Sequence, residues 1–376
     1  MNEKSILHDG WHWVLLAFLS HKLLLLAGYP ELGWNHFNPE LWVRWDSGHY
    51  FAIAQHGYEA FPCWTKFAAY APNSEALCGN CGWMPGFPML IRLFQGLGMS
   101  AAIAAQWIVN GTFLLFLAFL WKHVCKTAGT QGILLLFLTA CWPGSVYYQA
   151  AFPIALFVLM VGMCLTYLQQ ARWKPAALCA AGASLAYSTG FLLGAVMVPY
   201  IVYRYRHSIR EVFRFMLIPA ASLLSFALVL CYQWWQTGVF GAFFQTQSKY
   251  GHGLNSPLKI LGLIWNRALE HPNVEVRFTD WLTLCITAGL LVLLVWYFLG
   301  SAKPELKLLL ASYVLCFWFL PLSMSPHLAF YRQAAALAPL VLFMGSLPLK
   351  ILSALLLAGM AINPVLARFF LQDLLP

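Results

Sequence analysis

Charged side chains are scarce in this chain. Asp, Glu, Lys and Arg make up 9% of its 376 residues and only 13 residues are acidic, whereas 61% are hydrophobic. The mean hydropathy is +0.68, and the apolar runs reach the roughly 20 residues that a helix needs to cross a bilayer. A soluble fold of this size has no use for so much apolar surface. The composition predicts an all-α polytopic membrane protein, with residues 1–376 as a single domain.

Other patterns are missing as well. No segment alternates apolar and polar residues over about ten positions, which argues against a membrane β-barrel. Neither a glycine-rich phosphate loop nor a D-x-D pair is present, so we expect no soluble nucleotide sugar, no cofactor and no metal. The 22 Lys and Arg lie mostly in short connections, as the positive-inside rule predicts for cytoplasmic loops. The net positive charge is therefore no sign of a nucleic-acid partner.

The basic connections also orient the chain. A first helix at residues 11–29 delivers residues 30–98 to the exoplasmic face, and a second exoplasmic segment follows at 236–280. The pattern predicts about eleven spans in all, including one at 333–347. Residues 175–203 are too long for one ordinary span, and we predict two short helices that meet near residue 188.

The first exoplasmic loop contains Arg44–Tyr50, a group of ionisable residues in an otherwise apolar chain. Carboxylates near a membrane are costly to keep, so Asp46 is the first candidate for a functional residue. Within Trp42–Tyr58, successive members of the set Trp45, His49, Ile53 and His56 are three or four positions apart, which predicts a short helix at the membrane surface. Asp46 could equally pair with Arg44 or cap that helix.

Three cysteines lie in the same loop. Cys63, Cys78 and Cys81 are outside the cytoplasm in the predicted topology, where oxidation is permitted. We expect a disulfide between two of them, and the spacing does not decide which two. The three thiols are also compatible with zinc, although no fourth ligand of suitable spacing is evident.

Three segments resemble the PIG-V family of GPI mannosyltransferases and its bacterial relatives. They are Arg44–Asp46, Ile53–Tyr58 and Met84–Arg92, which are similar to the family's RWD, I-A-x-x-G-Y and F-P-L-Y-P motifs. The resemblance is strongest over residues 41–95. Tyr331 and Arg332, followed by Pro339, are similar to a later segment of the family.

The resemblance implies a GT-C membrane glycosyltransferase fold and a sugar donor carried on polyprenyl phosphate. It also implies that Asp46 is catalytic, as the general base in an inverting transfer of a hexose, mannose first, to an exoplasmic glycan, lipid or protein. The compact loops look bacterial. The expected location is the inner membrane with the site on its periplasmic face, and the ER membrane is the alternative.

Transfer from a lipid phosphate calls for cations at the departing phosphate and for groups that hold the sugar or acceptor. Candidate phosphate-binding residues are Arg332, Lys249, Arg92, Tyr331 and His327. Candidate acceptor- or sugar-binding residues are His49, His56, Glu59, Trp45 and Trp83. Each has a simpler interpretation, because interfacial arginine, histidine and tryptophan side chains often only anchor a helix at the headgroups.

Two other classes of protein fit parts of the pattern. A secondary transporter or lipid flippase would concentrate ionisable residues inside its spans, whereas the candidates named above gather at one predicted surface. An inactive accessory subunit of a glycosylation system would bind the lipid-linked sugar without turnover. Departures from the family pattern favour that alternative, since the chain reads Ala151–Pro153 and Tyr187-Ser188 where relatives often have Tyr-Ser-Glu and Arg-Pro.

Overall fold

The computed structural model describes residues 10–67, 76–250, 253–326 and 329–375, and it is 78% helical with almost no sheet. The helices are α1 (Trp11–Gly28), α2 (Ser47–His56), α3 (Cys63–Phe67), α4 (Gly86–Gln95), α5 (Ala101–Leu120), α6 (Gly129–Ala140), α7 (Ile154–Gln169), α8 (Trp173–Ala186), α9 (Leu192–Tyr205), α10 (Ile209–Thr237), α11 (Ala242–Ser248), α12 (Pro257–Glu270), α13 (Val274–Leu299), α14 (Pro304–Val314), α15 (Leu320–Leu322), α16 (Phe330–Ala336) and α17 (Leu349–Leu371). The strands β1 (Ala60–Pro62) and β2 (Leu77–Gly79) pair antiparallel, with Ala60 opposite Gly79. His327 lies outside the described residues.

Within the described part of the chain, 6 helical stretches are long and apolar enough to cross a membrane. They are Trp11–Gly28, Ala101–Ala140, Ile209–Thr237, Val274–Leu299, Pro304–Leu322 and Leu349–Leu371. The prediction of a helical membrane protein is confirmed, and the count of eleven spans is not. α7 and α9 are apolar but have 16 and 14 residues, which is short of the roughly 20 that a bilayer requires.

Two of the predicted spans, 175–203 and 333–347, can be compared directly with the structure. The break predicted within residues 175–203 is present, because α8 ends at Ala186 and α9 begins at Leu192. Residues 333–347 do not form one α-helix: α16 is followed by a 3-10 helix over Ala338–Ser346. Pro339 lies at the start of that 3-10 helix, and its missing N–H and fixed φ oppose a continuous α-helix there.

The chain groups into two compact units. The first is built from the described residues of 1–45, 102–171 and 329–376, and the second from those of 46–101 and 172–328. In the first unit α1 packs against α6 and α17. A Cβ on Gly28 would lie 2.3 Å from the carbonyl oxygen of Pro364, so glycine permits this close approach. Asn363 of α17 is buried and its Nδ2 donates to the carbonyl of Cys141 at 2.7 Å, which ties α17 to the end of α6.

The second unit packs α8, α9, α10 and α14 together and α12 against α13. Two pairs of side chains link these helices inside the unit. The buried hydroxyls of Ser184 and Ser222 are 2.9 Å apart between α8 and α10. The guanidinium of Arg267 donates two hydrogen bonds to the carboxylate of Asp280, at 2.8 and 2.6 Å, between α12 and α13.

Candidate functional site

The backbone takes an unusual conformation just before α2. Trp45 has a φ of +41°, in the left-handed region that a bulky side chain rarely adopts. Strain of this kind occurs mostly where a binding or catalytic site requires it. Asp46 follows, and its carbonyl accepts a hydrogen bond from the N–H of His49 at 3.0 Å. A short helix is therefore present within the predicted range, and it begins at Ser47.

Two structural roles, capping of α2 and pairing with Arg44, are possible for Asp46. Its side chain accepts no capping hydrogen bond from α2, so capping does not account for the residue. Arg44 has an acidic partner in its own unit, with Nη1 at 2.8 Å from Oδ2 of Asp373. The Asp46 carboxylate is half-buried at the start of α2.

His49 lies one helical turn after Asp46 and stacks on Trp83. The two ring centroids are 3.6 Å apart and the planes differ by 16°. Trp83 is buried in the segment that leads into α4, so it forms a fixed platform for the half-buried imidazole. The stack joins two segments that are distant in sequence, α2 and the Trp83–Pro88 stretch.

The charges of three side chains act on this imidazole. Burial lowers the pKa of His49, and the charge of Asp46 raises it again in part. Lys249 acts to lower the same pKa, and Glu59 acts to raise it. The charges of two carboxylates and one ammonium group thus act on His49, and with Trp83 five of the predicted site residues interact within the second unit.

The lowered pKa of His49 predicts a pH dependence of stability. The unfolded chain takes up the proton at a pH where folded His49 stays neutral, so the free energy of unfolding should fall as the pH drops below about 6.5. We expect the fall in melting temperature between pH 7 and pH 5 to be smaller in His49→Gln. His56→Gln is the control, because His56 is exposed at the end of the same helix. Identical pH profiles for the native chain and His49→Gln would refute the assignment.

The loop that carries these groups is held by side-chain amides. The phenol of Tyr58 donates to the carbonyl of Trp83 at 2.9 Å, which fixes the stacking platform. Asn80 accepts from the N–H of Glu59 at 2.8 Å and donates to the carbonyl of Gly57 at 3.0 Å. Gln236 of α10 accepts from the N–H of Tyr58 at 2.8 Å. These contacts anchor the loop to a long helix of its own unit.

Three supporting residues were not predicted from the sequence: Asn80, Gln233 and Gln236. Gln233 is fully buried and donates to the carbonyl of Cys81 at 2.8 Å. A signal was available, since two glutamines three positions apart at the end of an apolar helix are costly unless they have partners. Gly57 belongs to the same contact: it has a φ of +81°, and a Cβ there would lie 2.2 Å from Nε2 of Gln236.

Of the three loop cysteines, Cys63 and Cys78 form a disulfide and Cys81 is a buried free thiol. Burial raises the pKa of Cys81 to about 12, so this thiol stays protonated near neutral pH. Nζ of Lys249 lies 3.8 Å from Sγ of Cys78, and the disulfide therefore helps to place the ammonium group near His49. No group of three or more metal-ligating side chains occurs among the described residues.

Removal of the disulfide should loosen this loop. The bond closes a loop with a sequence separation of 15, for which the chain-entropy relation gives about 3 kcal/mol of stabilisation. We expect Cys63→Ser to lower the melting temperature and to increase amide hydrogen exchange over residues 57–67 and 76–83. Cys81→Ser is the control, because that thiol is in no disulfide. Equal exchange in the native chain and Cys63→Ser would contradict this role.

Other predicted residues belong to the first unit. The guanidinium of Arg332 lies 5.7 Å from the ring centroid of Phe152. Tyr331 is buried and stacks on Tyr147, with centroids 6.1 Å apart. Trp45 meets Phe370 edge to face at 5.0 Å, so its ring packs within the first unit.

The remaining candidates lie at the surface of the second unit. Arg92 is exposed on α4 and His56 is exposed at the end of α2. The exposed Glu59 carboxylate is 3.8 Å from Nζ of the equally exposed Lys66, which makes a weak ion pair. Asp46, His49, Trp83 and Lys249 thus form the core of the candidate site, with Glu59 at its edge.

Comparison with known proteins gives no match, either to a protein-family model or to a curated protein sequence.

Proposed function

We propose that the chain is an inverting membrane glycosyltransferase of the GT-C type, with a bundle of about eleven spans. It would move a hexose, mannose first, from a polyprenyl-phosphate carrier to an exoplasmic glycan, lipid or protein. The proposed location is a bacterial inner membrane, with the site on the periplasmic side. The proposal draws on the resemblance of residues 41–95 to the PIG-V family and on the geometry of the second unit.

One observation carries the proposal: an imidazole stacked on a buried tryptophan is under the electrostatic influence of a carboxylate and an ammonium group. Asp46 precedes α2, His49 stacks on Trp83 at 3.6 Å, and the charges of Asp46 and Lys249 both act on His49. An acid–base group beside a cation is what transfer from a phosphate requires. Held by a disulfide and by buried amides, the loop offers these groups in a preorganised arrangement.

In the proposed reaction, Asp46 accepts the proton of the acceptor hydroxyl. The hydroxyl oxygen forms a bond to C1 of the sugar while the bond between C1 and the phosphate oxygen breaks, and the electron pair leaves on the phosphate. One carboxylate suffices because inversion needs a single displacement. His49 is neutral near pH 7, so it can donate a hydrogen bond from one nitrogen and accept one at the other.

The departing phosphate needs positive charge. Lys249 is the candidate in the second unit, since the disulfide and the Tyr250 ring, whose centroid is 4.9 Å from Nζ, hold its ammonium group. Arg332 with Tyr331 is the candidate in the first unit. Guanidinium matches the geometry of phosphate oxygens better than ammonium does. Arg92 and His327 stay further candidates, and Trp83, His56 and Glu59 stay candidates for the sugar or acceptor.

One observation favours the rival reading as a transporter or flippase. Lys22 lies inside the candidate span α1 and donates hydrogen bonds to the side-chain oxygens of Asn110 and Gln149. Polar residues within spans often mark substrate paths. We prefer the transferase because the group around His49 includes a potential base, which translocation of a lipid does not need.

The donor requirement tests the proposed function. Purified protein in lipid vesicles is given labelled polyprenyl-phosphate mannose and, separately, labelled nucleotide mannose, each with acceptors extracted from bacterial membranes. We expect labelled product from the lipid-linked donor alone. Product from the nucleotide sugar at the same rate, or movement of intact donor across the bilayer without product, would refute the proposal.

A further inference from the structure

A second group of polar side chains lies inside the first unit and is centred on Lys22. The Lys22 ammonium donates to Oδ1 of Asn110 on α5 and to Oε1 of Gln149, which follows the 3-10 turn Ser145–Tyr148. Nζ also lies 4.8 Å from the ring centroid of Phe18. Lys22 is about 9 Å from the C-terminal end of α1, at 1.5 Å per residue. The first unit thus directs a lysine inward from a membrane helix instead of extending it to the interface.

The amides around Lys22 are oriented by one another. Nε2 of Gln106 donates to the backbone carbonyl of Gln149 at 2.8 Å, and Nε2 of Gln149 donates to Oε1 of Gln106 at 2.9 Å. Nδ2 of Asn110 donates to the backbone carbonyl of Gln106 at 2.8 Å. Because the amide N–H groups are used in this way, the oxygens of Asn110 and Gln149 face the lysine.

The hydrogen-bond acceptors of the Lys22 ammonium are the neutral amides of Asn110 and Gln149. No carboxylate of the described chain lies within ion-pair distance of Lys22. An ammonium group in a membrane segment is costly, and such residues are usually paired. The ammonium has three N–H donors and two are taken by the amides. One donor and one unit of positive charge are left for a ligand.

His36 is a second buried polar group of the first unit. It is 4% exposed, and neither ring nitrogen has a hydrogen-bond partner in the described part of the chain. Its ring meets Trp42 and Phe37 edge to face, with centroids 5.0 and 6.1 Å apart. Burial lowers the pKa of His36, and the charge of Lys22 lowers it further, so the ammonium acts on this imidazole.

The site can be reached from the side of the bilayer. Leu19 and Leu23, which flank Lys22 along α1, are 53% and 64% exposed. Lys22 itself is half-buried. In a membrane-spanning helix such exposed leucines face lipid, so a lipid headgroup can approach the lysine along this surface.

We propose that the Lys22 ammonium binds a phosphate oxyanion of a membrane lipid through its remaining N–H donor. A phosphate oxygen accepts this N–H and compensates the charge that the amides leave unpaired. The inference concerns the first unit only and does not depend on the proposed transfer reaction. A flippase would use such a site as readily as a transferase would.

The test is equilibrium binding of polyprenyl phosphate to the full chain in detergent, measured by native mass spectrometry. We expect Lys22→Met to bind at least about tenfold more weakly, since a hydrogen bond to a charged group is lost. Lys350→Met is the matched control, because Lys350 is an exposed lysine of the same unit. Polyprenol, which lacks the phosphate, and inorganic phosphate are the comparison ligands.

A second variant keeps the test decisive if Lys22→Met fails to fold. Asn110→Asp is nearly isosteric and places a carboxylate on Lys22, so it should preserve the fold and weaken polyprenyl phosphate binding by a similar factor. Native affinity in folded Asn110→Asp would overturn the site. Equal binding of polyprenol, which lacks the phosphate, would overturn its phosphate selectivity, and binding of inorganic phosphate alone would overturn the assignment to a lipid.

Discussion

Asp46→Asn should lower kcat for sugar transfer by about 10²–10⁴-fold, the range for loss of a general base. Asparagine has nearly the same shape as aspartate but cannot accept a proton from the acceptor hydroxyl. The substitution keeps the size of the side chain and removes no capping hydrogen bond from α2. The measurement is the initial rate of transfer at saturating donor, with donor affinity determined on the same preparation.

Glu270→Gln is the control for Asp46→Asn. Glu270 is an exposed carboxylate at the end of α12 in the same unit, and it is not a candidate site residue. We expect its rate to stay within about threefold of the native rate, because substitutions at exposed positions outside a site have small effects. If Asp46→Asn is as fast as the native chain, or if Glu270→Gln is the slower of the two, Asp46 is not the base.

Asp280→Leu should lower the free energy of unfolding by about 3 kcal/mol, because it leaves the Arg267 guanidinium without its charged partner. The Asp280 side chain is 3% exposed and accepts two hydrogen bonds from Arg267. Since Arg267 is 26% exposed, water relieves part of its charge, and we expect the lower end of the range for buried pairs. The measurement is a titration with denaturing detergent.

The double variant Arg267→Met/Asp280→Leu separates the ion pair from packing. Replacing both partners by apolar residues of similar size should restore most of the lost stability. Glu211→Gln provides a surface control, because its pair with Arg214 is 3.4 Å long and its arginine is 51% exposed, so we expect little change. A double variant as unstable as Asp280→Leu would mean that the loss comes from packing and not from an unpaired charge.

Composition and local spacing were enough to predict the helical membrane class and a short helix beside Asp46. They were also enough for the break between α8 and α9, since the pattern there is set by neighbouring residues. The number of spans could not be predicted reliably from the sequence. An apolar run such as α7, with 16 residues, has the same hydropathy whether it is covered by other helices or faces lipid.

The parts of the candidate site that the sequence did not predict depend on contacts between distant segments. His49 was a candidate from its spacing, but its stack on Trp83 follows from the loop conformation, in which Tyr58, Asn80 and Gln236 bring α2 and the following segment together. The partners of Lys22 are likewise distant in sequence. No local period connects a lysine of α1 with an amide of α5.

The stoichiometry of lipid phosphate release tests the central claim most directly. Purified protein in vesicles is incubated with doubly labelled polyprenyl-phosphate mannose, and new glycoside and free polyprenyl phosphate are counted in the same sample. The proposed displacement predicts one molecule of free polyprenyl phosphate for each glycoside formed. Intact donor on the opposite leaflet, or bound donor with no glycoside, would contradict a glycosyltransferase and indicate the flippase or the inactive subunit.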